Sequence, residues 1–163
     1  QVTPLQVAVA YAAIANGGEL LKPYIVDEIV DNSKSIEKVV AQNGRTVKRR
    51  VIKQSTSETL TQMLVGVVER GSGRQAKIPG YSVAGKTGTA QVAASNAAGY
   101  TDKTIHTFVG YSPAFNPSLV MLVKLDNPKG VEFSEATAAP VFKAVGEFIL
   151  HYLNVPPDKA LAK

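Results

Sequence analysis

The stretch Ser82-Val-Ala-Gly-Lys86-Thr-Gly-Thr-Ala-Gln91 decides the fold, because it can be read either as a phosphate-binding loop or as a strand. Extended back to Gly80, it satisfies the G-x-x-x-x-G-K-T pattern from Gly80 to Thr87, in which backbone N–H groups cradle phosphates and the lysine reaches them. An apolar run ending in Asp126 would then serve as the Mg²⁺-binding strand. That mechanism needs a buried strand before the loop and a helix opening at the Lys-Thr pair. The preceding Arg70-Gly-Ser-Gly-Arg-Gln-Ala-Lys-Ile-Pro79 is no buried strand, and Gly88 falls where the first helical turn would form. Tyr81, Ser82 and Val83 favour extended chain, so a strand over residues 81–92 is expected and the nucleotide loop is kept as an alternative. Lys86 is the only charged residue between Lys77 and Asp102. It is therefore either a stray surface lysine or a group placed for chemistry.

Outward from that strand, the chain alternates helix and strand signals. Thr3-Pro4-Leu5-Gln6 combines an N-cap, a proline at the first helical position and a capping-box glutamine, and the helix runs to Asn16 before Gly17-Gly18 ends it. Tyr24 to Val30 reads as a strand, and Ile36 to Val40 with Thr46 to Ile52 flank Asn43-Gly44, a hairpin signal. Ser55-Thr-Ser-Glu58 is a second capping box, predicting a helix through Leu60, Leu64 and Val68 to a stop at Gly71, followed by the glycine-rich Gly71-Ser-Gly73. Thr104 to Tyr111 and Leu119 to Asp126 read as antiparallel strands joined by a short connection. A last helix is expected over about Ser134 to Leu153, with Phe142, Val145, Phe148, Ile149 and Leu153 on one stripe. The fold class is α+β, an antiparallel sheet covered by helices.

Composition narrows the function classes. The 163 residues are 45% hydrophobic and 19% charged, the size and balance of one globular domain. Cysteine is absent, which excludes thiol catalysis, disulfides and Cys-based zinc sites, and His106 and His151 show no metal-ligand spacing; no cofactor is expected. Five basic residues cluster from Arg45 to Lys53, but no aromatic interleaves and the run alternates with apolar residues. It reads as a solvated hairpin, and no nucleic-acid partner is expected. There is neither an apolar run long enough to cross a membrane nor a secretory signal, and the chain opens at Gln1 directly into a helix signal. A piece of a longer protein, with any anchor upstream, is expected.

Two further motifs bear on chemistry. Ser35-Ile-Glu-Lys38 matches S-x-x-K, a nucleophilic serine with its activating lysine. That pair needs one helical face; here it leads into a strand, where residues three apart point to opposite sides, and the match is read as chance. Lys86-Thr87-Gly88 matches K-T-G, the strand motif that accompanies S-x-x-K in β-lactamases and penicillin-binding proteins. A strand lysine in a sparsely charged neighbourhood suits a substrate carboxylate, the threonine hydroxyls can hydrogen-bond it, and Gly88 lets another backbone approach.

Val2-Thr-Pro-Leu-Gln6, Ala12-Ala-Ile-Ala-Asn-Gly-Gly18, Lys22-Pro23, Pro79 to Gln91 and Phe108-Val-Gly-Tyr-Ser-Pro-Ala114 resemble, in order and spacing, the C-terminal part of the transpeptidase domain of class B penicillin-binding proteins. The resemblance covers Val2 to about Val155, with residues 156–163 left as a tail. It implies a serine D,D-transpeptidase of peptidoglycan synthesis on the extracytoplasmic face of the bacterial inner membrane. Its partners would be a stem peptide ending in D-Ala-D-Ala, β-lactams, and the missing N-terminal part of the same domain. Lys86 would be the catalytic-network lysine. Thr87 and Thr89 would bind the carboxylate, with the Thr89 N–H in the oxyanion hole, and Gly88 would leave room for the substrate. His106, Phe108 and Tyr111 would be structural. The chain would supply the last three strands of a five-stranded sheet. No genuine S-x-x-K and no S-x-N occurs in it, so the isolated chain is expected to be inactive. A non-catalytic binding module on the same fold is the other open reading.

Overall fold

The computed structural model describes residues 2–33, 37–95 and 98–160. Thr3 caps α1 (Pro4–Ala15) as the sequence predicts: its hydroxyl accepts the Gln6 N–H at 3.2 Å, and the Gln6 side chain accepts the Thr3 N–H at 2.8 Å. Gly17 and Gly18 turn the chain with φ of 85° and 106°, a region costly for any residue with a Cβ. The chain then runs through β1 (Glu19–Leu21), β2 (Glu28–Asp31), β3 (Lys38–Gln42), β4 (Val47–Arg50) and α2 (Gln54–Arg70). It continues into β5 (Ala84–Ala93), β6 (Tyr100–Ser112), β7 (Leu119–Asp126) and α3 (Ala138–Tyr152).

The main sheet is antiparallel in the order β5-β6-β7, which makes β5 an edge strand. Alternation along its strands builds two cores. Phe108 and the β7 residues Leu119, Met121, Val123 and Leu125 face α3, whereas Ala84, Tyr111 and Val120 face α1 and α2. On the α3 side the Phe108 and Phe142 rings pack tilted, with centroids 4.7 Å apart. On the other side a hydrogen bond of 2.7 Å joins the buried Tyr111 hydroxyl to Thr61 of α2. Burial raises the Tyr111 phenol above its ordinary pKa, so it stays neutral. Phe108 and Tyr111 are thus core residues, as expected from the sequence.

Several local expectations are corrected. The hairpin tip is not at Asn43-Gly44: β3 pairs with β2 and β4 with β1, one ladder nested inside the other. Asn43 donates its N–H to Asp27 O at 2.7 Å and its side-chain amide to Val26 O at 2.7 Å. Gly44 does not adopt the positive φ a tight hairpin turn requires. The missed β1 supplies the partner that the sequence reading assigned to β3. The predicted strand over Tyr24 to Val30 shortens to β2, and the strand from residue 81 begins at Ala84. The Ser55 capping box is absent, because α2 starts at Gln54 after an N-cap, Lys53, that makes no side-chain cap bond. Glu58 instead accepts the Gln54 side-chain amide at 3.0 Å.

The apolar stripe of α3 is also corrected. A short 3₁₀ turn, Ser134–Ala136, precedes the helix, and its buried line is Ala138, Ala139, Phe142, Gly146 and Leu150. A Cβ on Gly146 would lie 2.9 Å from Ile78 Cδ1, so the helix approaches the core through its smallest residues. Val145, Phe148 and Leu153 consequently turn outward, and Phe148, 68% exposed, stacks on Tyr152.

Two changes test this packing. Phe142→Ala removes the ring against Phe108 and should lower stability by about 3–5 kcal/mol in urea unfolding of the complete protein. Gly85→Ala drives a Cβ to 2.6 Å from the Phe108 ring and 2.9 Å from the Val109 carbonyl. It should cost about 1–3 kcal/mol by the same measurement.

Candidate active-site strand

Lys86, Thr87, Gly88 and Thr89 all lie on β5, in register with Val109, Phe108, Thr107 and His106 of β6. No helix opens at Lys86, so the phosphate-loop reading of Gly80 to Thr87 is corrected: the lysine sits inside a ten-residue strand. A strand offers no cradle of consecutive N–H groups, because alternate ones point to opposite sides. Of the S-x-x-K match, Ser35 lies outside the described residues, and Lys38 opens the exposed strand β3.

The period of two places Thr87 and Thr89 on one face of β5 and Lys86 and Gly88 on the other. The Lys86 ammonium bends over the free edge of the strand and donates to Thr87 O at 2.9 Å and to Thr87 Oγ1 at 3.2 Å. Lys86 is exposed and forms no ion pair among the described residues. Since its carbonyl takes the lysine, Thr87 directs its backbone groups off the sheet, and by alternation Thr89 does the same. Gly88 faces β6, where Thr107 Oγ1 donates to its carbonyl at 3.2 Å.

Both threonine hydroxyls are held by serines from flanking segments, which sequence reasoning missed. Ser72, in the glycine-rich loop after α2, lies 2.9 Å from Thr87 Oγ1. The Ser134 N–H donates to Thr89 Oγ1 at 3.2 Å, and the Thr89 hydroxyl donates to Ser134 Oγ at 3.3 Å. The Gly71-Ser72-Gly73 loop was visible in the sequence, but nothing in it pointed to Thr87. His106, directly across from Thr89, is fully buried; hydrogen bonds link its Nδ1 to Thr137 Oγ1 at 2.9 Å and its Nε2 to Thr104 Oγ1 at 3.0 Å. It ties the turn carrying Ser134 to the sheet.

Among the described residues there is no cluster of His, Cys, Asp or Glu suited to a metal ion, and no helix is long and apolar enough to cross a membrane. A cleft of about 570 Å³ lies elsewhere, between the C-terminus of α1 and the N-terminus of α2. Within it Arg45 and Arg50 both pair with Glu19. These pairs belong to the basic run, whose strand β4 is exposed along its whole length.

Residues 1–147 match the family described as the penicillin binding protein transpeptidase domain. Stage V sporulation protein D of Bacillus subtilis (strain 168) is 40% identical over 160 residues, covering 97% of this chain and 24% of that protein. A peptidoglycan D,D-transpeptidase FtsI homolog of Mesostigma viride is 34% identical, over 96% of this chain and 28% of that protein. Among solved structures, the apo TP domain of penicillin-binding protein 3 from Burkholderia pseudomallei superimposes with a TM-score of 0.76 at 32% identity, covering 98% of this chain and 45% of that one. The chain thus spans about a quarter of the length of these curated relatives. With an edge strand bearing Lys-Thr-Gly-Thr at its centre and this extent of match, the chain belongs to the penicillin-binding-protein transpeptidase family.

Proposed function

We propose that these residues are the substrate-binding half of a peptidoglycan D,D-transpeptidase that cross-links stem peptides through a serine acyl-enzyme. The observation that carries this reading is the free edge of β5, with a lysine ammonium curled over it and two threonine hydroxyls on one face. A peptide ending in D-Ala-D-Ala lies extended along that edge, its carboxylate taken by the Thr87 and Thr89 hydroxyls near the Lys86 charge. Gly88 keeps the edge bare between the two threonines. The outward N–H of Thr89 donates to the penultimate D-Ala carbonyl oxygen as it gains negative charge.

The nucleophilic serine and its activating lysine belong to a part of the complete protein outside residues 1–163. The serine oxygen adds to the penultimate carbonyl and its proton passes to a neighbouring base. The peptide bond breaks, terminal D-Ala leaves with a proton on its amine, and an ester remains. An amine of a second stem peptide then attacks the ester, forming the cross-link and returning the proton to the serine. β-Lactams acylate the same serine, because their amide and carboxylate copy the D-Ala-D-Ala end. The work is done at the extracytoplasmic face of the inner membrane, held there by an anchor outside this chain. The remaining part of the domain also covers the outer edge of β7 and the exposed apolar line Val141, Val145, Phe148 and Tyr152 on α3.

Fluorescent-penicillin labelling of the complete protein tests the reading. One serine outside residues 1–163 should carry the label, and Lys86→Ala should slow labelling roughly a hundredfold with the fold retained. A folded complete protein that takes no label would replace the enzyme with a non-catalytic binding module. The isolated chain should form no adduct and should self-associate through its uncovered surfaces in sedimentation; a monomeric, heat-stable chain would refute the uncovered-surface part.

A further inference from the structure

The residues after α3 fold back onto the root of β5. The Tyr81 hydroxyl donates to the Val155 carbonyl at 2.6 Å, and the N–H groups of Asp158 and Lys159 both donate to Gly80 O, at 3.1 and 3.0 Å. The Asp158 carboxylate accepts the Ser82 N–H at 2.7 Å on one oxygen and the Ser82 hydroxyl on the other. Ser82 is 2% exposed. Its own oxygens are acceptors in turn: Ala114 N–H donates to Oγ at 2.8 Å and to the carbonyl at 3.0 Å, and the Ser112 hydroxyl donates to the carbonyl at 2.9 Å. One buried serine therefore joins the segment before β5, the turn after β6 and the end of the chain.

A second anchor lies beside it. The Lys159 ammonium reaches Glu69 at 2.5 Å, and Lys77 reaches the same carboxylate at 2.9 Å. Hydrogen bonds from Lys159 and then Lys77 hold the Glu69 carboxyl below the usual carboxylate range, so it is charged at neutral pH. Glu69 lies near the end of α2, just ahead of the loop whose Ser72 touches Thr87.

We propose that Val155–Lys159 is a strap that sets the position of β5, with Asp158 as a positioning residue for Lys86, Thr87 and Thr89. The effect on acylation rests on the transpeptidase reading above. Among the described residues β5 is held by a ladder on one side only, so its root governs how the free edge is presented to a substrate. The buried Ser82 N–H and O–H need acceptors, and a carboxylate supplies both with charge-assisted bonds. The two strap contacts converge on β5 from its start and from the Ser72 loop.

The complete protein is compared with its Asp158→Ala and Asp158→Asn variants by hydrogen exchange and by the rate of fluorescent-penicillin acylation. In Asp158→Ala, amides of residues 80–89 should exchange faster while β7 keeps its protection. The first-order acylation rate of the folded protein should fall about tenfold, as for a displaced binding group. Asp158→Asn keeps one carbonyl acceptor for Ser82 and should recover part of both, and it carries the test if the alanine variant does not fold. Unchanged exchange at 80–89, equal acceleration in β7, or faster exchange with unchanged acylation each overturns the proposal. A wild-type protein that takes no penicillin refutes the transpeptidase reading and the positioning role with it, while hydrogen exchange still decides whether the strap holds β5.

Discussion

The close approach of β5 and β6 at Gly85 and Gly110 is the constraint on which the rest of the structure depends. The two glycines face each other in the ladder, and a Cβ on Gly110 would stand 2.6 Å from the Ala84 carbonyl. The space left bare is filled by the Phe108 ring, which in turn meets Phe142 of α3. A side chain at either glycine would lift the ring, and with it the helix that closes this face of the sheet. Two hydrogens in place of two methyl groups thus allow a helix to lie tightly on the sheet.

That free edge connects fold to chemistry. A central strand would have its N–H and C=O groups engaged on both sides, but among the described residues β5 has a neighbour only in β6. The backbone of Thr87 and Thr89 therefore points away from β6, and the Lys86 ammonium folds over the edge onto the Thr87 carbonyl. The surrounding segments contribute rigidity. Ser72 and Ser134 hold the two threonine hydroxyls from opposite flanks, and His106 secures the Ser134 turn through Thr137. These contacts are hydrogen bonds among hydroxyls, a backbone N–H and an imidazole, and Lys86 forms no ion pair among the described residues.

How much was legible in advance depended on the range of the interaction. The Thr3 capping box, the Gly17-Gly18 turn, the Gly71 stop and the strand β7 were all readable, because each rests on neighbours within four residues or on a period of two. The site strand was readable in part: Gly88 disfavours the helix that a phosphate site would need, whereas Tyr81 to Val83, read as strand, lie ahead of it, after a turn in which the Tyr81 N–H donates to Ile78 O. The tip of the long hairpin was not. Asn43-Gly44 has the right local chemistry for a turn, yet β3 and β4 found better partners in β2 and β1. The outward turn of Phe148 was hidden as well, because the helix seats itself through Gly146 against Ile78, far away in sequence.

The sequence by itself determined which segments are helix and strand around the site, the class of the fold, and the Lys-Thr-Gly-Thr constellation, since caps, periodicity and small-residue placement act over short spans of chain. Only the tertiary structure decided which strands pair in the hairpin, which side of α3 is buried, that Ser72 and Ser134 hold the threonines, and that Asp158 closes on Ser82. The Asp158 contact spans 76 residues and the Ser134 contact 45. Bonds over such separations follow from how whole layers pack, and no local pattern in the chain encodes them.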